Sequence, residues 1–379
     1  MRAPAGSLGR LDGLDLLRGV ACVAVVFGHL MAWFAIERQD WWLSQAADTA
    51  LGRPLHLNPQ LAFIGVGSFF LITGVVITAS AFREKPGQFL FRRVSRLVPL
   101  LWAVTVLAWI MINLGQRITP RLDQRLDVVD LLIGMVLGNF FQVPQVAFVG
   151  VTWTLVIQIV FYVWVTVTIP VLRRRPWIAP ALAAAVCFVG ILGSVAARGN
   201  PSVDVRVWAH HAGIWAAYIP LLVIGQIVAL AYLGRIHRYT AVALGAVHFL
   251  LWVWVDRISG FTFQGDALPR TVMIMLLVLL VLMRVRGPVS SSRFVRAFAA
   301  RTYAIYLVHV GCLYPVMDAL VPRIGVELAV LTGLITVGVV AEILHRFVEM
   351  PADRWLRARR RKRPAEPAAA ERAKEPTPA

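Results

Sequence analysis

Long apolar runs, separated by short polar segments, dominate the pattern of this chain. A helix that rises about 1.5 Å per residue crosses a hydrocarbon core about 30 Å thick in about 20 residues. Runs near that length recur from one end of the sequence to the other, so the pattern predicts an all-α, polytopic integral membrane protein with about ten transmembrane helices. The predicted spans are 14–36, 61–81, 97–114, 152–172, 177–197, 212–233, 239–255, 271–283, 302–320 and 325–347.

A further apolar segment, 128–141, is short for a span and contains Gly134 and Gly138. If it does not cross the membrane, one set of alternate loops, with both termini, holds 26 Lys and Arg residues and the other set holds 10. Cytoplasmic loops carry the excess of positive charge in membrane proteins. We therefore predict that 128–141 is re-entrant and that both termini are cytoplasmic.

Composition narrows the class of protein further. With 59% apolar residues and a mean hydropathy of +0.71, too few polar groups remain to cover a soluble globule. The net charge is +18, and the basic residues lie between apolar runs without forming a basic face. We therefore expect the lipid bilayer as a partner and no nucleic acid. The three cysteines lie in apolar runs without a CxxC pair, and no His and carboxylate cluster has the spacing of metal ligands.

The sequence divides into a membrane domain, residues 1–356, and a tail, residues 357–379. The tail begins with a cluster of Arg and Lys and then becomes rich in Pro, Ala and Glu, a composition that cannot bury a core. We expect a disordered cytoplasmic tail. Arginine outnumbers lysine 35 to 3, which favours a GC-rich bacterial gene and hence the bacterial cell (inner) membrane.

The first predicted span carries ionisable residues inside its apolar run: Asp15, Arg18 and His29. At about 100° per residue, the eleven-residue step from Arg18 to His29 returns to within about 20° of the same face, about 16 Å further along. A charge turned toward lipid costs a few kcal/mol or more. We therefore expect this stripe to face protein or a water-filled cavity, either as part of an active site or as the proton or solute path of a secondary transporter.

Six segments in order resemble motifs of the membrane acyltransferase-3 family, whose members move acyl groups onto hydroxyls of glycans, cell-envelope polymers or secondary metabolites. The first helix of that family has an Arg and a His separated by ten residues, as Arg18 and His29 are. Thr73 stands where the family usually has Ser, and Gln158 stands where it usually has Glu. The segments are LDGLDLLRGVACVAVVFGH, FFLITGVVI, FRRVSRLVP, WTLVIQIVFY, YAIYLVH and FVEMP.

The resemblance implies an O-acyltransferase that takes an acyl group, expected to be acetyl, from acyl-CoA as a cosubstrate and holds no permanent cofactor. His29 is the expected general base, because an imidazole titrates near neutral pH. Arg18, Arg93 and Arg96 are expected to hold the donor. Arg93 and Arg96 precede the predicted third helix, so its N-terminus is expected to join them in binding phosphate.

Polar and aromatic residues of the later motifs are candidates for the walls of the acyl path, although aromatic residues in membrane helices often only pack. Gln158 cannot hold a charge, which leaves open a member that binds substrates without turnover. The carboxylate of Glu349, just after the last predicted span, is expected to pair with arginines on the cytoplasmic side of the membrane. The candidate substrate-binding residues are Thr73, Trp153, Gln158, Tyr162, Tyr306 and His309, with Tyr303 beside them.

Overall fold

The computed structural model describes residues 11–57, 61–118, 125–141, 149–258 and 268–361, which are mostly helical and contain no strand. The helices are α1 (Asp12–Ile36), α2 (Trp42–Ala47), α3 (Arg53–Leu55), α4 (Ala62–Ala81), α5 (Pro86–Asn113), α6 (Val128–Met135), α7 (Trp153–Arg174), α8 (Ile178–Ala196), α9 (Val203–Tyr232), α10 (Arg238–Ile258), α11 (Leu268–Leu282), α12 (Arg293–Ile324), α13 (Val326–Leu344) and α14 (Met350–Arg361).

Nine helices of the described residues are long and apolar enough to cross a membrane. They are α1, α4, α5, α7, α8, α9, α10, α12 and a segment that contains α13. The remaining predicted span, 271–283, corresponds to α11, which has only 15 residues. The prediction of an all-α, polytopic membrane protein is confirmed.

Three helices begin well before the spans predicted for them. Helix α5 begins at Pro86, a residue that suits the first turn of a helix, and it therefore includes the polar residues before 97. Helices α9 and α12 begin after Ser202 and Ser292, whose hydroxyls accept hydrogen bonds from the N–H groups of Val205 and Val295. An apolar run marks only the part of a helix that lies in hydrocarbon, so it underestimates a helix that continues into water.

The predicted re-entrant segment contains a short helix. Asp127 and Asp130 form a reciprocal capping box at the start of α6, and a 3₁₀ turn, Gly138–Phe141, follows the helix. The eight residues of α6 rise about 12 Å, which is too short to cross a bilayer. This length agrees with the prediction that 128–141 does not span the membrane.

Helix α1 packs between α4 and α12, so the predicted stripe faces protein on two sides. Gly65 of α4 permits this approach, because a Cβ atom there would lie 2.3 Å from a methyl group of Val25 and 2.5 Å from the carbonyl oxygen of Ala21. Buried residues form two apolar clusters, one centred on α4, α7, α8 and α9 and the other on α1, α5, α12 and α13. The candidate site lies where these clusters meet.

The end of the membrane domain differs from its predicted form. A π-helical turn, His345–Glu349, joins α13 to α14, and Glu349 pairs with Nδ1 of His345 at 2.8 Å, whereas we expected it to pair with arginines. Helix α14 ends at Arg361 and thus includes the first five residues of the predicted tail. The rest of the predicted tail, 362–379, lies outside the described residues.

Candidate active site

A cavity of about 160 Å³ lies between α1, α4, α5, α7 and α12. This volume is on the order of ten water molecules. Single residues that are far apart in the chain meet there because α1 is held between α4 and α12, with α5 and α7 beside them. The sequence-predicted residues that line the cavity are Arg18, Thr73, Arg93, Arg96, Gln158, Tyr162, Tyr303 and Tyr306.

Among the described residues, three guanidinium groups and no acidic side chain line the cavity. Arg18 lies 3.6 Å from a carboxylate oxygen of Asp15, and Arg93 lies 3.5 Å from one of Glu84. Arg96 is exposed, and no carboxylate of the described residues lies within 4.0 Å of it. The wall of the cavity is therefore cationic, which suits an anionic ligand.

Arg93 and Arg96 do not sit before a helix, as we expected, but seven and ten residues after Pro86, inside α5. The N–H groups that a helix leaves unpaired lie in its first turn, so the predicted role of the helix N-terminus in phosphate binding is wrong. Residues three apart on a helix share one face. Helix α5 therefore presents both guanidinium groups to the cavity together.

Neutral polar groups complete the wall on α4 and α7. The hydroxyl of Tyr162 donates a hydrogen bond of 3.3 Å to Oε1 of Gln158, one turn earlier on α7. Thr73 lines the cavity from α4. With Gln in place of Glu, the cavity lacks a negative charge that would offset its arginines.

Aromatic residues of α12 close the part of the cavity nearest the middle of that helix. The hydroxyl of Tyr303 donates to the carbonyl oxygen of Leu97 at 3.0 Å. The hydroxyl of Tyr306 lies 2.7 Å from Oγ1 of Thr154 and 3.2 Å from the carbonyl oxygen of Val151. These bonds join α12 to α5 and to the start of α7, and they hold both rings in the wall.

His29 and His309 form a pair just beyond the cavity and are not among its lining residues. Nε2 of His309 lies 3.2 Å from Nδ1 of His29, and the two rings meet edge to face with centroids 4.8 Å apart. His309 is fully buried and His29 is half-buried. The expectation that the stripe on α1 faces protein is confirmed, with Arg18 in the cavity wall and His29 against α12.

Backbone carbonyl groups fix the tautomers of both neutral rings. Nδ1 of His309 lies 2.8 Å from the carbonyl oxygen of Tyr306, and Nδ1 of His29 lies 3.0 Å from that of Val25. A carbonyl oxygen only accepts, so both Nδ1 atoms carry hydrogen. The single Nδ1–H of His29 is then shared between the carbonyl oxygen of Val25 and the unprotonated Nε2 of His309, which leaves Nε2 of His29 without hydrogen and able to accept a proton.

Further contacts fasten α1 to α12 on either side of the histidines. Sγ of Cys22 lies 3.9 Å from the carbonyl oxygen of Thr302. The hydroxyl of Tyr314 donates a hydrogen bond of 3.3 Å to the backbone carbonyl oxygen of His29. One turn after His29, the indole N–H of Trp33 donates to Asp318 at 2.8 Å. The position of the imidazole of His29 therefore depends on the packing of two helices.

Asp318 belongs to a charged cluster beyond the end of α5, which the sequence motifs did not indicate. Nε of Arg117 donates to Asp318 at 2.9 Å, and a terminal nitrogen of Arg117 lies 2.8 Å from Glu37. The hydrogen bond to Asp318, with help from Glu37, raises the pKa of Arg117 above its ordinary value. The cluster joins α1, α12 and the segment after α5.

Some candidate residues do not join the site. Trp153 is absent from the cavity wall; its ring packs against Phe70 and Tyr218, with centroids 6.2 and 4.9 Å away. Thr154, the next residue, does line the cavity, and sequence reasoning missed it. The only sequence feature that could have indicated Thr154 is its position in the WTL segment of the fourth motif. Within the described ranges, no group of three or more His, Cys, Asp and Glu residues could hold a metal ion.

Comparisons with known proteins agree with this architecture. A family model described as an acyltransferase domain, that of the acyltransferase-3 family, matches residues 11–344. Acyltransferase MdmB of Streptomyces mycarofaciens is 27% identical over 381 residues, which cover 93% of this chain and 94% of that protein. Nodulation protein 10 of Rhizobium leguminosarum bv. viciae is 26% identical over 286 residues, 67% of this chain and 70% of that protein. No solved structure matches.

The family match covers all five helices that form the cavity and both histidines. It favours an enzyme over the secondary transporter that the charged stripe alone left open. The chain therefore belongs to the acyltransferase-3 family and is a membrane acyltransferase that transfers groups other than aminoacyl groups.

Proposed function

We propose that this enzyme transfers an acetyl group from acetyl-CoA, bound from the cytoplasmic side, to a hydroxyl of a glycan, cell-envelope polymer or secondary metabolite. The observation that carries the proposal is the adjacency of a cationic cavity and a histidine pair with one basic nitrogen. The cavity supplies a place for an anionic donor, and His29 supplies a base. Family membership accounts for acyl transfer, and these residues account for its chemistry.

The donor binds with its phosphate groups against the arginines. Coenzyme A carries several phosphate charges, and guanidinium groups bind phosphate through two parallel N–H donors. Arg96 is exposed and free of carboxylates among the described residues, so it makes the first contact without losing an ion pair. Arg93 and Arg18 follow further inside. The volume of about 160 Å³ favours a short acyl group.

In the chemical step, the acceptor hydroxyl oxygen attacks the thioester carbonyl carbon while Nε2 of His29 takes the hydroxyl proton. The tetrahedral intermediate then collapses, so the C–S bond breaks and an ester bond remains. The proton on His29 passes to the thiolate of coenzyme A. The carbonyl oxygen of Val25 and Nε2 of His309 both accept from Nδ1 of His29, which leaves Nε2 of His29 free, so His309 acts as a positioning residue.

The proposed setting is the bacterial cell (inner) membrane with both termini cytoplasmic. The excess of Lys and Arg in one set of loops supports this orientation, and the bacterial relatives support the cell type. With that orientation, Arg18, Arg93 and Arg96 lie toward the cytoplasm. His29, about 16 Å further along α1, lies in the outer half of the membrane.

Replacement of His29 tests the proposal. Membranes that contain His29→Ala, supplied with radiolabelled acetyl-CoA, are expected to form no labelled product, because no base remains to take the hydroxyl proton. His237→Ala is the matched control, since His237 is exposed and far from the cavity along the chain. Labelling at the wild-type rate by His29→Ala, at equal protein level, would contradict the role of His29.

A further inference from the structure

Among the described residues, neither His29 nor His309 lines the cavity. The lining residues of α12 end at Tyr306, and His309 lies three residues further along the same helix, about 4.5 Å in rise. The ring of Tyr306 stands between them, 5.9 Å from the ring of His309 and 5.8 Å from that of Phe69. The side chain of Tyr306 therefore forms the cavity wall on the side of His309, the hydrogen-bond partner of His29.

A specific set of hydrogen bonds holds Tyr306 in this position. The hydroxyl of Thr154 donates to the carbonyl oxygen of Val151 at 2.9 Å, so its oxygen is available to accept from the hydroxyl of Tyr306 at 2.7 Å. The same carbonyl oxygen lies 3.2 Å from the hydroxyl of Tyr306. Tyr306 and Thr154 are both buried, and a hydrogen bond is stronger in a protein interior than in water.

We propose that Tyr306 is a gate between the donor cavity and His29, and that Thr154 is its latch. This inference rests on the proposed function, since it concerns how the donor of that reaction meets its base. In the latched state, the thioester is kept from His29 and from any water that His29 could activate. Acyl transfer requires the bond between Tyr306 and Thr154 to break and the ring to turn away.

Loss of the latch is expected to have a moderate and specific effect. A neutral hydrogen bond that is lost shifts an equilibrium between closed and open forms by about 2- to 12-fold. More frequent opening exposes the donor to water in the absence of an acceptor. The signature of the gate is therefore faster His29-dependent hydrolysis of acetyl-CoA, which a purely structural hydrogen bond would not produce.

The experiment measures thiol release from acetyl-CoA by the full chain in proteoliposomes without an acceptor, beside the binding of acetyl-CoA at equilibrium. Thr154→Val and Tyr306→Phe are each expected to raise thiol release about 2- to 12-fold. The double variant is expected to match Tyr306→Phe, because that change alone already removes the bond between Tyr306 and Thr154. Addition of His29→Ala is expected to abolish the increase.

Thr152→Val is the matched control, since the hydroxyl of Thr152 also bonds a carbonyl oxygen at 2.7 Å, in the same turn, but does not line the cavity. Unchanged thiol release in both latch variants, with normal acetyl-CoA binding, would overturn the gate and leave the proposed function intact. An increase that persists without His29, or that Thr152→Val reproduces, would also overturn it. Absence of acetyl-CoA binding in every form, wild type included, would overturn the proposed donor and the gate with it.

Discussion

The two ends of the site differ in how their polar groups are partnered. At one end, Arg96 is exposed and has no carboxylate partner among the described residues, and Arg93 shares Glu84 with Arg92. At the other end, both histidines are bonded to backbone carbonyl groups and to each other, in an apolar setting. Arginines with few ion pairs are available to bind a ligand. A histidine with several hydrogen bonds is instead held in one orientation, with its free nitrogen in a fixed position.

This difference separates binding from chemistry. Guanidinium groups that are only partly satisfied can exchange a weak ion pair for phosphate at little cost. An imidazole whose tautomer is set by carbonyl groups keeps one nitrogen available as a base. Changes at the arginines should therefore affect the KM for the donor, and changes at the histidines should affect kcat.

Arg96→Ala gives the largest expected effect on the donor end. Loss of a charge-assisted hydrogen bond to phosphate is expected to raise the KM for acetyl-CoA about 10- to 100-fold. With acetyl-pantetheine, which lacks the nucleotide phosphates, the same variant is expected to behave as the wild type. Initial rates of acyl transfer with both donors measure this.

Arg92→Ala is the matched control for Arg96→Ala. Arg92 lies on the same helix and pairs with Glu84 at 3.0 Å, but it does not line the cavity. Its KM for acetyl-CoA is expected to stay within about 2-fold of wild type, as for a surface ion pair. Equal effects of the two replacements would show that general positive charge, and not the cavity, holds the donor.

His309→Ala tests the other end. Without Nε2 of His309, the ring of His29 loses one of its two partners, and kcat is expected to fall about 10-fold with an unchanged KM for acetyl-CoA. In His309→Gln, the amide oxygen can accept from Nδ1 of His29, so part of kcat should return. Steady-state kinetics of the two variants measure this, and a change in KM alone would contradict a positioning role.

Gln158→Glu gives the smallest expected effect. A carboxylate among three guanidinium groups lowers the positive potential of the cavity and is expected to raise the KM for acetyl-CoA about 3-fold. The difference from wild type should shrink as salt is added, because ions screen the added charge. A large gain in kcat would instead indicate that Gln158 marks an enzyme with an impaired catalytic group.

Features of the site that follow from one helix could be predicted from the sequence. The eleven-residue step from Arg18 to His29 places both on one face of α1 wherever that helix packs. The motif that contains Gln158 and Tyr162 likewise set two cavity residues one turn apart, because a helix repeats every 3.6 residues. The apolar runs also located most of the helices that cross the membrane, because the length of a run can be read from one segment of sequence alone.

Features that depend on contacts between helices could not be predicted. Nothing in the periodicity of α12 shows that His309 meets His29, or that the hydroxyl of Tyr306 reaches Thr154 on another helix. The start of α5 at Pro86 was missed because its first turns are polar and lie outside any apolar run. Side-chain partners across helices are set by tertiary packing, which local patterns do not encode.

The central claim, that the donor binds at the arginines and reacts at His29, is tested most directly by one paired measurement. Equilibrium binding of acetyl-CoA and product formation are measured on the same preparations of His29→Ala and Arg96→Ala. We expect His29→Ala to bind acetyl-CoA with the wild-type Kd and form no product. We expect Arg96→Ala to bind about 10- to 100-fold more weakly and still form product at saturating donor. Loss of binding in His29→Ala, or loss of turnover at saturation in Arg96→Ala, would contradict the division of the site into a binding end and a reacting end.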